Sequence, residues 1–208
     1  MTTLKITIAD IDVEGYYNGP VDLANFDGNI EIDAGAGWCR FKSSLKASGY
    51  ISSISSIYAA SDINSGDFID SGGNIVSGGI IGSGGNIHSV GYIESGGPIF
   101  SRGTIYSGGH IYSDGIILSG GSVKSGGDIK ASGHINSGGN INSGGYVQSG
   151  DFIHSGDFIQ SFGYIDSGGY IFSAGYIDSG GDIKAIGNIK FRDYIKSRGI
   201  VYSAQGGA

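Results

Sequence analysis

The sequence is short of charge, cysteine and long apolar runs, and each shortage excludes a class of protein. Charged residues make up 15% of the 208 residues, against about 25% in an average globular protein. The single cysteine, Cys39, excludes an internal disulfide framework and leaves the redox compartment open. No apolar run approaches the length of a membrane span, and residues 1–5 lack the apolar core of a signal peptide. We therefore expect no membrane association and a cytoplasmic location.

Positive charge is also scarce. The chain has 12 Lys and Arg residues against 19 Asp and Glu residues, which gives a formal net charge of −7. An acidic surface is not attracted non-specifically to nucleic acid or to anionic lipid. Direct nucleic-acid binding is therefore not expected.

Residue patterns that carry chemistry are also missing. The four histidines, His88, His110, His134 and His154, have no short metal-ligand spacing. A serine occurs in almost every repeat, but none has a distinctive histidine and carboxylate around it. The glycine-rich stretches lack the strand–loop–helix context and the Lys-Ser/Thr pair of a phosphate-binding loop. We predict no catalytic residue, no metal site and no cofactor, and hence a protein that is not an enzyme.

The chain is rich in glycine and in regularly spaced aliphatic residues. From Leu45 to Val201, an Ile, Leu or Val occupies every sixth position, 27 positions in all. The 42 glycines could belong to a flexible linker. A linker has no reason to keep its apolar residues in phase, so the register predicts an ordered repeat.

The repeating unit is Gly-x-Ile-x-Ser-Gly, and residues 84–89 (Gly-Gly-Asn-Ile-His-Ser) and 138–143 (Gly-Gly-Asn-Ile-Asn-Ser) show it in a frame shifted by one residue. In the x-Ile-x segment the Ile points to one side and its neighbours point to the other, as in a β-strand. The Ser-Gly-Gly segment is small and turn-forming, and we expect its glycines to use φ > 0 at the corner. Short strands alternating with corners predict an all-β protein, a single-stranded parallel β-helix (solenoid).

The number of hexads in one coil decides the cross-section. Three hexads give a triangular helix of 18 residues per coil, about nine coils, and a rod of roughly 40 Å at about 4.8 Å per coil. Two hexads give a flattened coil of 12 residues. Residues 125–131 recur as residues 179–185, at an offset that is a multiple of 18 but not of 12. Residues 163–167 recur 12 residues later, but we favour the triangle.

The regions outside the repeat are less regular. We interpret residues 1–44 as an N-terminal β cap or irregular first coils, because terminal units of repeat proteins are usually atypical. Trp38 is the candidate plug of the open end; the alternative is a small β subdomain with Trp38 in its core. Residues 45–203 form the hexad-repeat β-helix, and residues 204–208 form a short tail.

The triangular arrangement sorts the outward residues into three faces. The face through Ile63, Ile81 and Ile99 has the most apolar exterior, and such stripes often mark interfaces, although aromatic residues also simply favour strands. The predicted interface residues are Ile80, Phe100, Ile116, Leu118, Phe152, Tyr170 and Phe172. Uncovered strand edges on the last coil would favour end-to-end stacking, unless the tail, Phe191 and Arg192 cover that coil.

Two known families share a hexad period with this chain. Hexad acyltransferases use an aliphatic-Gly-x-x-small-x motif with loop insertions and a helical extension. Here Gly follows a core Ile of the repeat only at Gly82, and no loop interrupts the repeat. Residues 127–131 (Gly-Asp-Ile-Lys-Ala) and 187–190 (Gly-Asn-Ile-Lys) instead resemble the repeats of bactofilins. That resemblance implies a triangular β-helix that forms non-catalytic, nucleotide-free filaments end to end.

The resemblance covers about three-quarters of the chain, with denser Gly-Gly doublets and a structured start in place of disordered tails. Phage tail-fibre shafts contain similar runs, so a location in a phage particle is also compatible. We therefore predict a rigid rod that self-associates into a homo-oligomer or polymer, as a scaffold filament or a phage component.

A binding role is the alternative function. A phage or mobile-element inhibitor would bind a host macromolecular complex, with its carboxylates acting as an acidic nucleic-acid mimic. Asp62, Asp70, Glu94, Asp166 and Asp178 motivate this reading, and the interspersed lysines weaken it. Binding of ice or polysaccharide is less favoured, because the outward residues vary too much between coils.

Overall fold

The computed structural model describes residues 1–33, 35 and 37–205. It is an all-β chain with one short 3-10 helix, Ile8–Asp10. The strands are, in chain order, β1 (Thr3–Thr7), β2 (Asn29–Asp33), β3 (Trp38–Phe41), β4 (Leu45–Ala47), β5 (Ile51–Ser53), β6 (Ser56–Ala59), β7 (Ile63–Ser65), β8 (Ile69–Ser71), β9 (Ile75–Ser77), β10 (Ile81–Ser83), β11 (Ile87–Ser89), β12 (Ile93–Ser95), β13 (Ile99–Ser101), β14 (Ile105–Ser107), β15 (Ile111–Ser113), β16 (Ile117–Ser119), β17 (Val123–Ser125), β18 (Ile129–Ala131), β19 (Ile135–Ser137), β20 (Ile141–Ser143), β21 (Val147–Ser149), β22 (Ile153–Ser155), β23 (Ile159–Ser161), β24 (Ile165–Ser167), β25 (Ile171–Ser173), β26 (Ile177–Ser179), β27 (Ile183–Ala185), β28 (Ile189–Phe191), β29 (Ile195–Ser197) and β30 (Val201–Ser203).

The strands form three parallel sheets, which are the three faces of a solenoid. Face A contains β1, β2, β5 and every third strand to β29; face B runs from β3 to β30; face C runs from β4 to β28. Within the repeats each residue pairs with the residue 18 positions further on, for example Ile81 with Ile99. The predicted triangular coil of 18 residues is therefore confirmed, and the 12-residue coil is excluded.

The sheets extend into the first 44 residues. In face A, β2 pairs with β5 and β1 pairs with β2, while β3 pairs with β6 in face B. Residues 16–17 and 23–26 bond to β3 and β4, so this segment lies over the N-terminal end of the solenoid. The solenoid therefore has about ten coils, which corresponds to a length of roughly 45–50 Å at about 4.8 Å per coil.

Trp38 does not plug this end. It stands half-exposed in β3, opposite Ser56 on the next coil. Because strand side chains alternate, its neighbours Cys39 and Phe41 point inward, and both are buried. Phe41 pairs with Ala59, so a large ring in one coil is matched by a small side chain in the next.

The core is a stack of aliphatic side chains. Every sixth residue from Leu45 to Ile183 is fully buried, and each lies in register with its equivalents in the neighbouring coils, as Ile129 does with Ile111 and Val147. Burying one such side chain contributes roughly 1.5–3 kcal/mol. The burial decreases in the last coil, where Ile195 is half-buried and Val201 is exposed.

The repeated serines bond the corners of the coils. Ser137 is fully buried, and its Oγ lies 2.8 Å from the carbonyl oxygen of Gly121 in the preceding coil and 3.0 Å from that of Asn140. In an equivalent corner, the Gly127 N–H donates to Ser125 Oγ at 3.2 Å. The predicted corner hydrogen bonding is confirmed, and it explains why a hydroxyl recurs without any catalytic partner.

At the corners, glycine permits the close approach of successive backbones and is not used for positive φ. The predicted φ > 0 at the corners is wrong, because the glycines with positive φ are Gly15, Gly28, Gly35 and Gly37, all before the repeats. A Cβ added to Gly126 would instead overlap the carbonyl oxygen of Gly108 one coil earlier. The backbones of successive coils touch at the corners, where a side chain needs a local adjustment.

One corner is imperfect and gives a stability prediction. Among the described residues, Ser55 Oγ is the buried side-chain polar atom without a hydrogen-bond partner. We expect Ser55→Ala to raise the free energy of unfolding by about 1 kcal/mol, because it removes a buried hydroxyl that bonds to nothing. Urea unfolding at neutral pH measures this change.

Ser71→Ala is the matched control. Ser71 is fully buried, and its Oγ donates to the Ser55 carbonyl oxygen at 2.8 Å. Its loss should lower the free energy of unfolding by about 1–3 kcal/mol, because a buried carbonyl loses its donor. Shifts of the same sign in the two variants would contradict this account of the corners.

Candidate self-association surfaces

Two parts of the surface are candidates for contact with another macromolecule: face C and the C-terminal coil, residues 186–205. All seven predicted interface residues lie on face C. Ile80, Ile116, Phe152 and Tyr170 precede a core isoleucine, and Phe100, Leu118 and Phe172 follow one. Leu118 is 38% exposed and Tyr170 is 43% exposed, while the other five are half-buried. Phe100 and Leu118 are directly opposite each other in adjacent strands.

The aromatic residues of face C stack on one another along the rod. The Phe152 ring lies 4.4 Å from His134 and 4.9 Å from Tyr170 between ring centroids, and Phe172 lies 4.9 Å from His154. Stacking of this kind covers the faces of the rings and leaves mainly their edges outside. These aromatics therefore already stabilise contacts between coils, and an interface would use the remaining exposed part.

Similar stacks occur on the other two faces. On face A, Tyr176 lies 4.7 Å from Phe158 and 5.0 Å from Tyr194, and on face B, Tyr146 lies 4.8 Å from Tyr164. What distinguishes face C is its lack of charge. Between residues 80 and 172, the positions flanking its core isoleucines contain no Asp, Glu, Lys or Arg. These six coils form an uncharged strip roughly 25 Å long.

The C-terminal coil carries five exposed large apolar side chains, one of them Ile186. Tyr194 is 49% exposed, Ile200 67%, Val201 44% and Tyr202 55%. Strands β29 and β30 each pair with one neighbour, β26 and β27, and are edge strands of faces A and B. On face C, Phe191 takes the place of the inward serine and packs against the core. Phe191 therefore covers one side of this end and leaves the other two sides exposed.

Asp182 connects the C-terminal coil to the coil before it. Its Oδ1 accepts a hydrogen bond from the Ile200 N–H at 2.9 Å, and its Oδ2 lies 3.1 Å from Lys184 Nζ. The backbone hydrogen bond, followed by the lysine, lowers the pKa of Asp182 from its ordinary value. In other coils, too, the residue before the core isoleucine accepts a hydrogen bond from the backbone of the next coil. For example, Asn74 Oδ1 accepts from the Tyr92 N–H at 2.9 Å.

The two ends of the rod carry opposite charge. Residues 186–205 contain four of the chain's 12 basic residues and one acidic residue: Lys190, Arg192, Lys196, Arg198 and Asp193. Residues 1–28 contain five acidic residues and one lysine: Asp10, Asp12, Glu14, Asp22, Asp27 and Lys5. All four basic residues at the C-terminal end are exposed, as are Glu14, Asp22 and Asp27. This separation is hidden in the overall net charge.

The acidic residues proposed as a nucleic-acid mimic mostly lie beside bases. Asp62 lies 3.3 Å from Lys46, Asp70 lies 2.6 Å from His88 Nδ1, and Asp178 lies 3.8 Å from Lys196. Asp166 pairs in register with Lys184. The negative charge along the rod is therefore interrupted by positive charge from coil to coil.

The titratable groups of the described region do not converge on one site. His88 lies on face A, His110 precedes a face B strand, and His134 and His154 lie on face C. No group of three or more His, Cys, Asp or Glu side chains in this region is arranged to hold a metal ion. Burial raises the pKa of the Cys39 thiol to about 12, which keeps it protonated and unreactive at neutral pH.

Comparison of the chain with protein-family models, with curated proteins and with solved structures gives no match. Within the part of the chain that the structure describes, no helix is long and apolar enough to cross a membrane.

Proposed function

We propose that this chain is a non-enzymatic structural protein, a rigid β-helix rod that self-associates as a scaffold filament or a phage-particle component. The observation that supports it most is the exposed apolar surface of the C-terminal coil on two free sheet edges. Exposed strand edges template pairing with another chain. The resemblance of the repeats to bactofilins is consistent with this role.

End contacts have more support than lateral contacts. An end contact repeats the arrangement that already joins one coil to the next, with its backbone hydrogen bonds and aligned aliphatic side chains. We therefore assign self-association to the ends and keep face C as a lateral alternative.

The substitution Ile200→Lys with Val201→Lys tests the end contact. Both side chains are exposed, so the rod should remain folded, whereas an end contact that covers these positions would have to bury two added charges, at a cost of several kcal/mol each. We expect light scattering over a concentration series to give the monomer mass for this variant where the wild type is larger. The matched control is Val90→Lys, which changes a 61% exposed side chain in a mid-rod corner between faces A and B, away from both surfaces, and should behave like the wild type.

A second double variant, Ile116→Lys with Phe152→Lys, tests face C in the same assay. Loss of association in this variant alone would move the interface to face C and contradict the assignment to the ends. A wild-type chain that stays monomeric at every concentration would overturn the proposal as a whole.

The inhibitor role has less support. A nucleic-acid mimic needs an uninterrupted array of carboxylates, whereas Asp62, Asp70 and Asp178 each have a basic partner within 4 Å. A pull-down from host lysate with the purified protein as bait separates the two roles. Filament formation by the protein alone, with no host protein captured, would support the structural role over the inhibitor role.

A further inference from the structure

We infer that the rods join head to tail, so that the C-terminal coil of one copy meets the N-terminal end of the next and the filament is polar. This inference rests on the proposed self-association and names the surface that the C-terminal coil binds. The partner is a second copy of the chain in one orientation. Three features of the described residues support that orientation over a tail-to-tail contact.

The first feature is charge. The C-terminal coil has a net side-chain charge of +3, and residues 1–28 have a net side-chain charge of −4. Two C-terminal ends therefore repel each other, as do two N-terminal ends, and only unlike ends attract. Complementary potentials of this kind select the orientation of a contact and speed its formation.

The second feature is the distribution of apolar side chains on each end. At the N-terminal end, Ile8 is 68% exposed and Val13 fully exposed, close in sequence to the carboxylates of Asp10, Asp12 and Glu14. At the other end, Ile200 and Tyr202 are exposed close in sequence to Arg198. Each end thus combines an apolar area with charge, and the charges are opposite. Protein interfaces combine apolar and charged side chains in this way.

The third feature is the free edge of face A at both ends. Strand β1 pairs only with β2, and β29 pairs only with β26, so these two strands are the edges of the same parallel sheet. A head-to-tail contact places β29 of one copy beside β1 of the next and continues the parallel pairing used throughout the rod. A tail-to-tail contact places two copies of β29 together in opposite directions.

The same contact contains one unfavourable pair. If β29 and β1 pair in the register of face A, Lys196 of one copy stands beside Lys5 of the next. Each lysine has its own carboxylate, Asp178 at 3.8 Å and Glu31 at 3.5 Å, which limits the repulsion. The remaining end charges favour the contact.

Two variants, each with one altered end, distinguish the orientations. Glu14→Lys with Asp22→Lys changes the acidic end, and Arg192→Glu with Arg198→Glu changes the basic end. All four side chains are exposed, so circular dichroism should show wild-type folding. We expect each variant alone to associate at least about tenfold more weakly than the wild type, since unlike charges no longer meet. A 1:1 mixture should form heterodimers, because each variant keeps one unaltered end.

Sedimentation velocity of the variants and their mixture reads out the result. If Glu14→Lys with Asp22→Lys associates as strongly as the wild type, the contact is tail to tail or lateral through face C and the head-to-tail inference is wrong, although self-association stands. If the wild type itself does not associate, the proposed function fails first. Raising the salt from 0.1 M to about 1 M shortens the Debye length from about 10 Å to about 3 Å, and should weaken wild-type association.

Discussion

Replacing Ile129 with aspartate is expected to unfold most of the rod at neutral pH. Ile129 is fully buried between Ile111 and Val147 in the central channel. The variant loses roughly 1.5–3 kcal/mol of burial and places a carboxylate among aliphatic side chains, at an effective penalty of several kcal/mol. That total approaches the 5–15 kcal/mol stability of a typical domain. Far-UV circular dichroism and urea unfolding measure the effect.

Lys130→Asp is the matched control for this variant. Lys130 is the next residue in the same strand, but it is exposed and points outward. The same new charge there should change the free energy of unfolding by no more than about 0.5 kcal/mol, as for an ordinary surface substitution. Similar unfolding midpoints for the two variants would contradict the placement of the hexad isoleucines in the core.

Removing one whole coil is expected to leave a folded, shorter rod. Deletion of residues 126–143 joins Ser125 to Gly144 and takes out three hexads, so that Val147 comes to pair with Ile111 in face B. Because each coil contacts only its neighbours, the remaining coils keep their hydrogen bonds and core contacts. We expect cooperative thermal unfolding and a rod about 4.8 Å shorter by small-angle scattering.

Deletion of half as many residues, 126–134, should be far more damaging. It removes strand β18 with the corners on both sides of it and brings Ile135 directly after Ser125, so the core positions leave the hexad register. Loss of register moves buried side chains to the wrong side of a strand. Equal stability of the two deletion variants would mean that the 18-residue coil does not organise the fold.

The sequence predicts the middle of the molecule well because one constraint acts on every repeat. An aliphatic residue at every sixth position leaves one inward direction for each strand, and the 54-residue echo between residues 125–131 and 179–185 selects three hexads per coil. The serine hydrogen bonds were predictable for the same reason. A hydroxyl that recurs at a fixed place in every corner has a structural role there.

The ends were less predictable because the repeat does not constrain them. Ile30 pairs with Ile51 and not with residue 48, so the first coil contains extra residues, and the hexad count does not show which side chains face inward. Trp38 was the expected plug from its size, whereas strand alternation buries Cys39 and Phe41 instead. Phe191 could have been found as a large residue at a serine position.

The corner glycines show a second limit. Composition alone indicates glycine at a turn, and positive φ is the usual reason. Here the reason is the distance between successive backbones, as at Gly126 over Gly108. That distance is set by the stacking of residues that are 18 positions apart in the sequence. The glycine content of a turn does not show which backbone segments are stacked in this way. The opposite charges of the two ends likewise appear only once each segment is assigned to an end.

Sedimentation velocity of the wild-type 208-residue chain over a wide range of concentration tests the central claim most directly. If the rod self-associates through its ends, elongated particles should grow with protein concentration in steps of one rod, and shrink again at high salt. A single monomeric boundary at every concentration and salt would contradict the account, and would leave the exposed apolar surface of the C-terminal coil without a role in self-association.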